Sequence, residues 1–313
     1  MKYLLSTIAA LALPLSALHA AVLAKGNILF IFGDDFINLW IHEPHPPFHT
    51  VPKYEWRFRN LTNREDQIYA SVLSHADDRI GQVLDTLDRL KLTDNTLVIF
   101  SSDNGPARAS AGAKLDLGYD TATGAGWGIA PSKGITGGRK GYKASLFEGG
   151  IGVPFIARWP GKIAAGKVDD VSLMSAVDLL PTLCEVAGVK LPASYKPDGV
   201  SQVATSMGQA NLARTSPLFW KFDSAWPAPK SRPYHWVSYA IVDQHWKLVA
   251  NKDSSYCELY DLANGPYEEK NLKDLNPEVV KRLLGKIADW QKTLPTKPNP
   301  ACFSTERSKQ STL

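Results

Sequence analysis

Two apolar runs in this chain each end in a pair of oxygen donors. Asn27–Phe32 leads into Gly33-Asp34-Asp35, and Thr96–Phe100 leads into Ser101-Ser102-Asp103-Asn104-Gly105. Carboxylate and amide oxygens are hard donors. Asp34, Asp35 and Asp103 with the amide of Asn104 would suit Ca²⁺, or Mg²⁺, if the two pairs met. Short β-branched and aromatic runs that stop at Gly and Asp read as buried parallel strands. In an open α/β sheet, ligands collect at the carboxyl ends of such strands.

The elements needed to hold those donors can be followed along the chain. Phe36–Ile41 is a further strand-like run, and the prolines of His42-Glu43-Pro44-His45-Pro46-Pro47 forbid helix or central strand after it. Between Asn63 and Lys91, Ile68, Val72, Ala76, Ile80, Leu84, Leu87 and Leu90 recur at helical intervals. The strand Leu97–Phe100 follows at once, which makes an αβ unit. Gly105–Lys143 lacks periodicity and reads as a long surface loop. Glu148–Gly161 reads as a strand bounded by turns. Val171–Ala187 reads as a helix entered at Pro181, with Asp178 as its cap.

Beyond Ser201 the pattern changes. Tyr239–Val242, Trp246–Ala250 and Glu258–Tyr260 are short runs at hairpin spacing, and Val280, Leu283, Leu284, Ile287 and Trp290 mark an amphipathic helix over Pro277–Lys292. The expected fold is α/β: a mostly parallel central sheet flanked by helices, with a small C-terminal α+β subdomain. The expected divisions are a signal segment over 1–21, the α/β domain over 22–205, an antiparallel sheet plus helix over 206–295 and a loose tail over 296–313.

The bulk composition excludes little, but it does exclude something. A chain of 313 residues with 44% hydrophobic and 21% charged residues is ordinary for a globular protein. The net charge of +4 and the lack of a long Lys/Arg block argue against a nucleic-acid face. Met1-Lys2, the apolar stretch Tyr3–Leu18 and His19-Ala20-Ala21 have the layout of a secretory signal. The stretch is short for a membrane span and is interrupted by Pro14 and Ser16. The expectation is a secreted or periplasmic protein with no stable membrane insertion after cleavage. Cys184, Cys257 and Cys302 show no metal-type spacing, and which of them pair is left open.

Taken together, these segments resemble the sulfatase family, within the alkaline-phosphatase-like superfamily, and most closely its arylsulfatase and N-acetylgalactosamine-6-sulfatase-like members. The resemblance rests on Ser102-Asp103-Asn104-Gly105-Pro106, on Phe147-Glu148-Gly149-Gly150-Ile151 with Val153-Pro154, and on Trp159-Pro160-Gly161. Glu258-Leu259-Tyr260-Asp261-Leu262 with Asn271-Leu272 adds to it. It runs from about Asn27 to about Leu294. It implies that Asp34, Asp35, Asp103 and Asn104 are the ligands of a divalent cation, usually Ca²⁺. It also implies that Lys143, five residues before Glu148, binds the sulfate, and that His45 contacts the sulfate or protonates the leaving group. Lys140 reads as a solvated surface lysine, and His42 as a weaker counterpart of His45. The implied activity is hydrolysis of a sulfate ester on a carbohydrate or aryl group, with a sulfated small molecule or glycan as partner.

One part of the family pattern is missing. Sulfatases use a formylglycine nucleophile made from Cys or Ser in Cys/Ser-x-Pro-x-Arg, followed by Lys-x-His. None of the three cysteines has that context, and Ser231-Arg232-Pro233 lacks the arginine. Asp35 runs straight into Phe36, where the family has a long intervening segment. Parallel neighbours need a crossover of a dozen or more residues, and one unbroken strand over Asn27–Ile41 would run roughly 50 Å. A tight hairpin is the other option; it would reverse one strand. The sequence thus leaves several readings: a sulfatase with impaired catalysis, a non-catalytic metal-binding remnant or truncated product, and a phosphohydrolase of the same superfamily. The last lacks a Ser or Thr at a suitable distance after the first strand.

Overall fold

The computed structural model describes residues 26–32, 36–45, 48, 51–107, 134–208, 214–222 and 234–297. The expected signal segment, Asp34, Asp35, most of the long loop and Cys302 lie outside the described residues. The first half of the chain forms β1 (Gly26–Phe32), β2 (Phe36–Ile41), α1 (Pro52–Arg57), α2 (Arg64–Arg89), β3 (Thr96–Ser101), α3 (Glu148–Ile151), β4 (Phe155–Arg158) and α4 (Leu179–Val186). The four strands lie in the order β2-β1-β3-β4.

Every described pair in this sheet is antiparallel, which corrects the expectation of mostly parallel neighbours. The three residues between Phe32 and Phe36 are too few for a parallel crossover, so β2 returns beside β1 with Phe36 opposite Ile31. A common direction nevertheless survives between β2 and β3. Both run against β1, and α2 is the crossover that joins them. Leu39 and Phe100 both face Ile28 in register, so β2 and β3 run in step about 10 Å apart, two strand spacings.

Helices cover both faces, as in an α/β fold. Ile37, Leu39, Ile41, Val98 and Phe100 pack under Ile80, Val83, Leu84 and Leu87 of α2. Leu97 and Ile99, which point the other way, pack with Ala157, Trp159 and with Leu179 and Leu183 of α4. The entry to α2 is set by Asn63, whose Oδ1 accepts from the backbone N–H groups of Glu65 (2.8 Å) and Asp66 (3.3 Å). Asp178 is structural, as expected, but its side chain does not cap α4; it closes a capping box with Ser175 around the short turn Ala176–Asp178 that precedes α4. Its buried carboxylate accepts from the N–H groups of Ser175 and Val200 and pairs with Arg214 at 2.6 Å. Trp40 on β2 and Ile156 on β4, both edge strands, remain exposed. These are apolar positions that none of the described residues covers.

The second half adds α5 (Val203–Ser206), then β5 (Leu218–Lys221), β6 (Tyr239–Asp243), β7 (Trp246–Ala250), β8 (Cys257–Asp261) and α6 (Pro277–Thr293). β5 to β8 form an antiparallel meander. One face, with Ile241, Leu248 and Leu259, packs on Leu283 and Ile287 of α6. The other, with Ala240, Val249 and Tyr260, packs on Leu146 and Phe147. Cys184 and Cys257 are buried free thiols. No helix among the described residues is long and apolar enough to cross a membrane.

Candidate anion-binding site

One end of the first sheet gathers the chemistry. Because β2 and β3 run in step, the chain leaving Ile41 and the chain leaving Ser101 emerge on the same side. The first forms a tight turn in which His45 N–H donates to the His42 carbonyl at 3.0 Å. The His42 and His45 rings lie 5.5 Å apart, edge to face, and both are exposed. Glu43, inside this turn, is tied to α2: its Oε1 lies 3.2 Å from His75 Nδ1. Arg79 Nε donates to His75 Nε2 at 3.1 Å, which leaves the proton of a neutral ring on Nδ1 and facing Glu43.

The second chain, Ser102–Pro106, is held from behind by the segment around α3. Ser102 Oγ donates to the Asn104 carbonyl at 2.9 Å, and Gly105 N–H donates to the Gly150 carbonyl at 2.8 Å. Lys143 N–H donates to the Pro106 carbonyl at 2.9 Å, and Gly149 N–H to the Lys140 carbonyl at 2.7 Å. These bonds explain why Glu148–Ile151, expected as the start of a strand, is a single helical turn. Its backbone groups are already committed to two neighbouring loops. They also tie the segment that carries the half-buried Lys143 to the loop that carries the exposed Asp103 and half-buried Asn104, across some forty residues of sequence. On the α2 side, Tyr69 approaches the same loop: a β-carbon on Gly134 would lie 3.2 Å from its hydroxyl and 2.6 Å from Pro106. Burial pushes the Tyr69 phenol up.

The segments that carry His45, Asp103, Asn104 and Lys143 therefore gather at one sheet end. Asp34 and Asp35 lie outside the described residues. The strand ends that flank them, Phe32 and Phe36, stand at the Thr96 end of β3, opposite the end where Asp103 follows. Among the described residues no three His, Cys, Asp or Glu side chains cluster to hold an ion. Asp103 and Asn104 alone fall well short of the six to eight oxygens that Ca²⁺ takes, so the described residues do not fit a closed cation site.

Sequence reasoning missed the groups that brace this end. Lys140 is not a solvated lysine. Its Nζ lies 2.7 Å from both Glu258 Oε2 and Tyr260 Oη and 4.5 Å from the Phe147 ring centroid. Burial raises the Glu258 carboxyl, but the bonds from Lys140 and Tyr260 outweigh it and hold it below the usual range. Lys247 is fully buried, 2.7 Å from Glu148 Oε1 and 2.9 Å from Glu268 Oε1, while Glu268 Oε2 accepts from the Glu148 N–H at 2.7 Å. Strand alternation explains the placement. Lys247, Val249, Glu258 and Tyr260 share the face of the second sheet that looks at Lys140–Ile151. A lysine inside the otherwise apolar run Trp246–Ala250 was the one available signal.

Family comparisons agree with this architecture. The sulfatase family model matches residues 33–189, and the model for the C-terminal part of N-sulphoglucosamine sulphohydrolase matches 140–293. An N-acetylgalactosamine-6-O-sulfatase of Bacteroides thetaiotaomicron is 30% identical over 250 residues, covering 79% of this chain and 45% of that protein. Among solved structures, Ps i-CgsB in complex with k-i-k-neocarrahexaose superposes with a TM-score of 0.60 at 22% identity, over 80% of this chain and 48% of that one. A Bacteroides thetaiotaomicron structure from a study of glycosaminoglycan metabolism (BT33336S-sulf) gives 0.58 at 24%, over 81% and 49%. The chain spans about half the length of the relatives it matches. With the Asp103–Pro106 loop seated on the Glu148–Ile151 turn inside the matched region, the chain belongs to the sulfatase family.

Proposed function

We propose that this chain binds a sulfated glycan at the His45–Lys143 end of its first sheet, as a sulfuric ester hydrolase by descent whose own turnover is impaired. The observation that supports this reading is the bond from Lys143 N–H to the Pro106 carbonyl, which ties the segment carrying Lys143 to the loop carrying Asp103 and Asn104. The Lys143 ammonium would hold a sulfate oxygen. The His45 imidazole would contact the ester oxygen and is the group able to hand it a proton. Cleavage also needs a nucleophile, and none of Cys184, Cys257 and Cys302 stands in the formylglycine context. The glycan assignment draws on relatives, one named for N-acetylgalactosamine 6-O-sulfate and one solved with a neocarrahexaose. The Met1–Ala21 segment supports secretion or a periplasmic location.

A chromogenic aryl sulfate tests the impairment. No release above background is expected, together with a mass spectrum free of formylglycine. Turnover that vanishes in Asp103→Ala would restore the full hydrolase reading. Calcium, which the family implies, would require Asp34 and Asp35 to join Asp103 and Asn104, and the flanking Phe32 and Phe36 at the opposite end of the sheet argue against that. Calcium calorimetry tests this: no saturable heat is expected, which leaves anion binding to Lys143 and His45 alone, and saturable heat that falls in Asp103→Ala would contradict the mismatch.

A further inference from the structure

The helix α1 and the turn that follows it carry an aromatic and basic strip that the site at the sheet end does not use. Trp56 is 65% exposed, although large aromatic side chains usually bury most of their surface. The Arg59 guanidinium lies 3.9 Å from its ring centroid and donates to the Trp56 carbonyl at 3.1 Å. No carboxylate among the described residues pairs with Arg59. On the next turn, Lys53 and Arg57 flank the buried Tyr54 ring at 5.0 and 5.1 Å, and both reach Asp78. Asp78 therefore offsets one of these two cations, Glu55 of the same helix is paired with Arg64 at 2.8 Å, and the strip as a whole stays positive.

Its position is fixed relative to the site. The Tyr54 ring lies 5.2 Å from the ring of His75, and His75 holds Glu43 in the turn that carries His45. Two side-chain contacts therefore separate the strip from the proposed sulfate-binding end. A flat indole offers a surface for the C–H face of a sugar ring. A guanidinium held 3.9 Å from its centroid offers a planar fork for an oxyanion. Together they match a polymer that alternates sugar faces with sulfate groups better than they match a small anion.

We infer that Trp56, Arg59 and the adjacent Arg57 form a second subsite that takes a distal sulfated sugar of an extended anionic glycan. This rests on the reading that the His45–Lys143 end takes the first sulfated unit, and the test separates the two. Binding of a sulfated galactan hexasaccharide, its chemically desulfated form and a sulfated monosaccharide is measured on the whole chain by calorimetry. The Trp56→Ala/Arg59→Ala variant is expected to lose roughly tenfold in hexasaccharide affinity, from stacking and charge together, with monosaccharide affinity unchanged. Both side chains lie on the surface, and an unchanged circular dichroism melt confirms the fold.

Hexasaccharide affinity equal to wild type in that variant would overturn the subsite. So would equal affinity for the desulfated form, or equally tight binding of a single-stranded DNA oligonucleotide, which would make the strip a general polyanion surface. If Lys143→Ala changes nothing while Trp56→Ala/Arg59→Ala still weakens the hexasaccharide, the subsite stands and the sheet-end reading falls.

Discussion

Gly105 and Gly149 approach so closely that a β-carbon on Gly105 would lie 1.9 Å from the Gly149 carbonyl oxygen. This contact seats the Asp103–Pro106 loop on the turn that follows Lys143. Gly105→Ala has only backbone to push against, so one of the two segments must move. The expected cost is about 1–3 kcal/mol of stability, read as a lower urea midpoint, with weaker anion binding. An unchanged midpoint would mean that the two loops are not locked.

Lys247 balances two carboxylates, Glu148 and Glu268, in a buried position. Lys247→Met leaves both without a counter-charge, and removing one partner of a buried pair costs about 3–5 kcal/mol. Urea unfolding measures it. Adding Glu148→Gln and Glu268→Gln to that variant is expected to recover part of the loss, because the uncompensated charge is then gone.

Burial raises the Glu268 carboxyl above its ordinary 4.5, and Lys247 offsets this only in part. The folded chain then binds that proton more tightly than the unfolded chain. Its contribution is greatest below pH 4.5 and is lost as the pH rises toward the raised folded value. Glu268→Gln is expected to flatten urea midpoint against pH in that window. Asp243 acts in a different window. Burial raises its carboxyl, but Lys286 and Arg282 outweigh that and hold it low, so its contribution is lost only as the pH falls below 3.8.

His75 ties the His42–His45 turn to α2 through Glu43. His75→Phe keeps a ring against Tyr54 and removes the hydrogen bond. The expected loss of stability is about 1 kcal/mol, with faster amide exchange at His45. Exchange at His45 matching wild type would show that the turn holds its shape without α2.

What was legible in the sequence depended on how local its cause was. The stripe Ile68, Val72, Ala76 and Leu87 gave α2, and Leu283 with Ile287 gave α6, because helical periodicity records which face is buried. The hairpin spacing of Tyr239–Tyr260 likewise reports adjacent pairing. Strand direction was not legible. Asn27–Phe32 reads as a buried strand, but nothing local says that it would lie between β2 and β3 and run against both. At the site, the residue types at Asp103, Asn104 and Lys143 were readable by resemblance. The segments that carry them are joined by the Gly105–Gly150 and Lys143–Pro106 bonds, which no local pattern encodes. The buried Lys247 follows the same logic: its partners come from α3 and from Glu268, both distant in sequence.

The central claim is that the His45–Lys143 end binds a sulfated sugar without cleaving it. Calorimetric titration of the whole chain with N-acetylgalactosamine 6-sulfate tests this most directly. The account predicts saturable heat that returns to baseline after each injection, with affinity at least roughly tenfold weaker in Lys143→Ala. Wild type and Lys143→Ala titrating alike, or a sustained heat of hydrolysis after each injection, would contradict it.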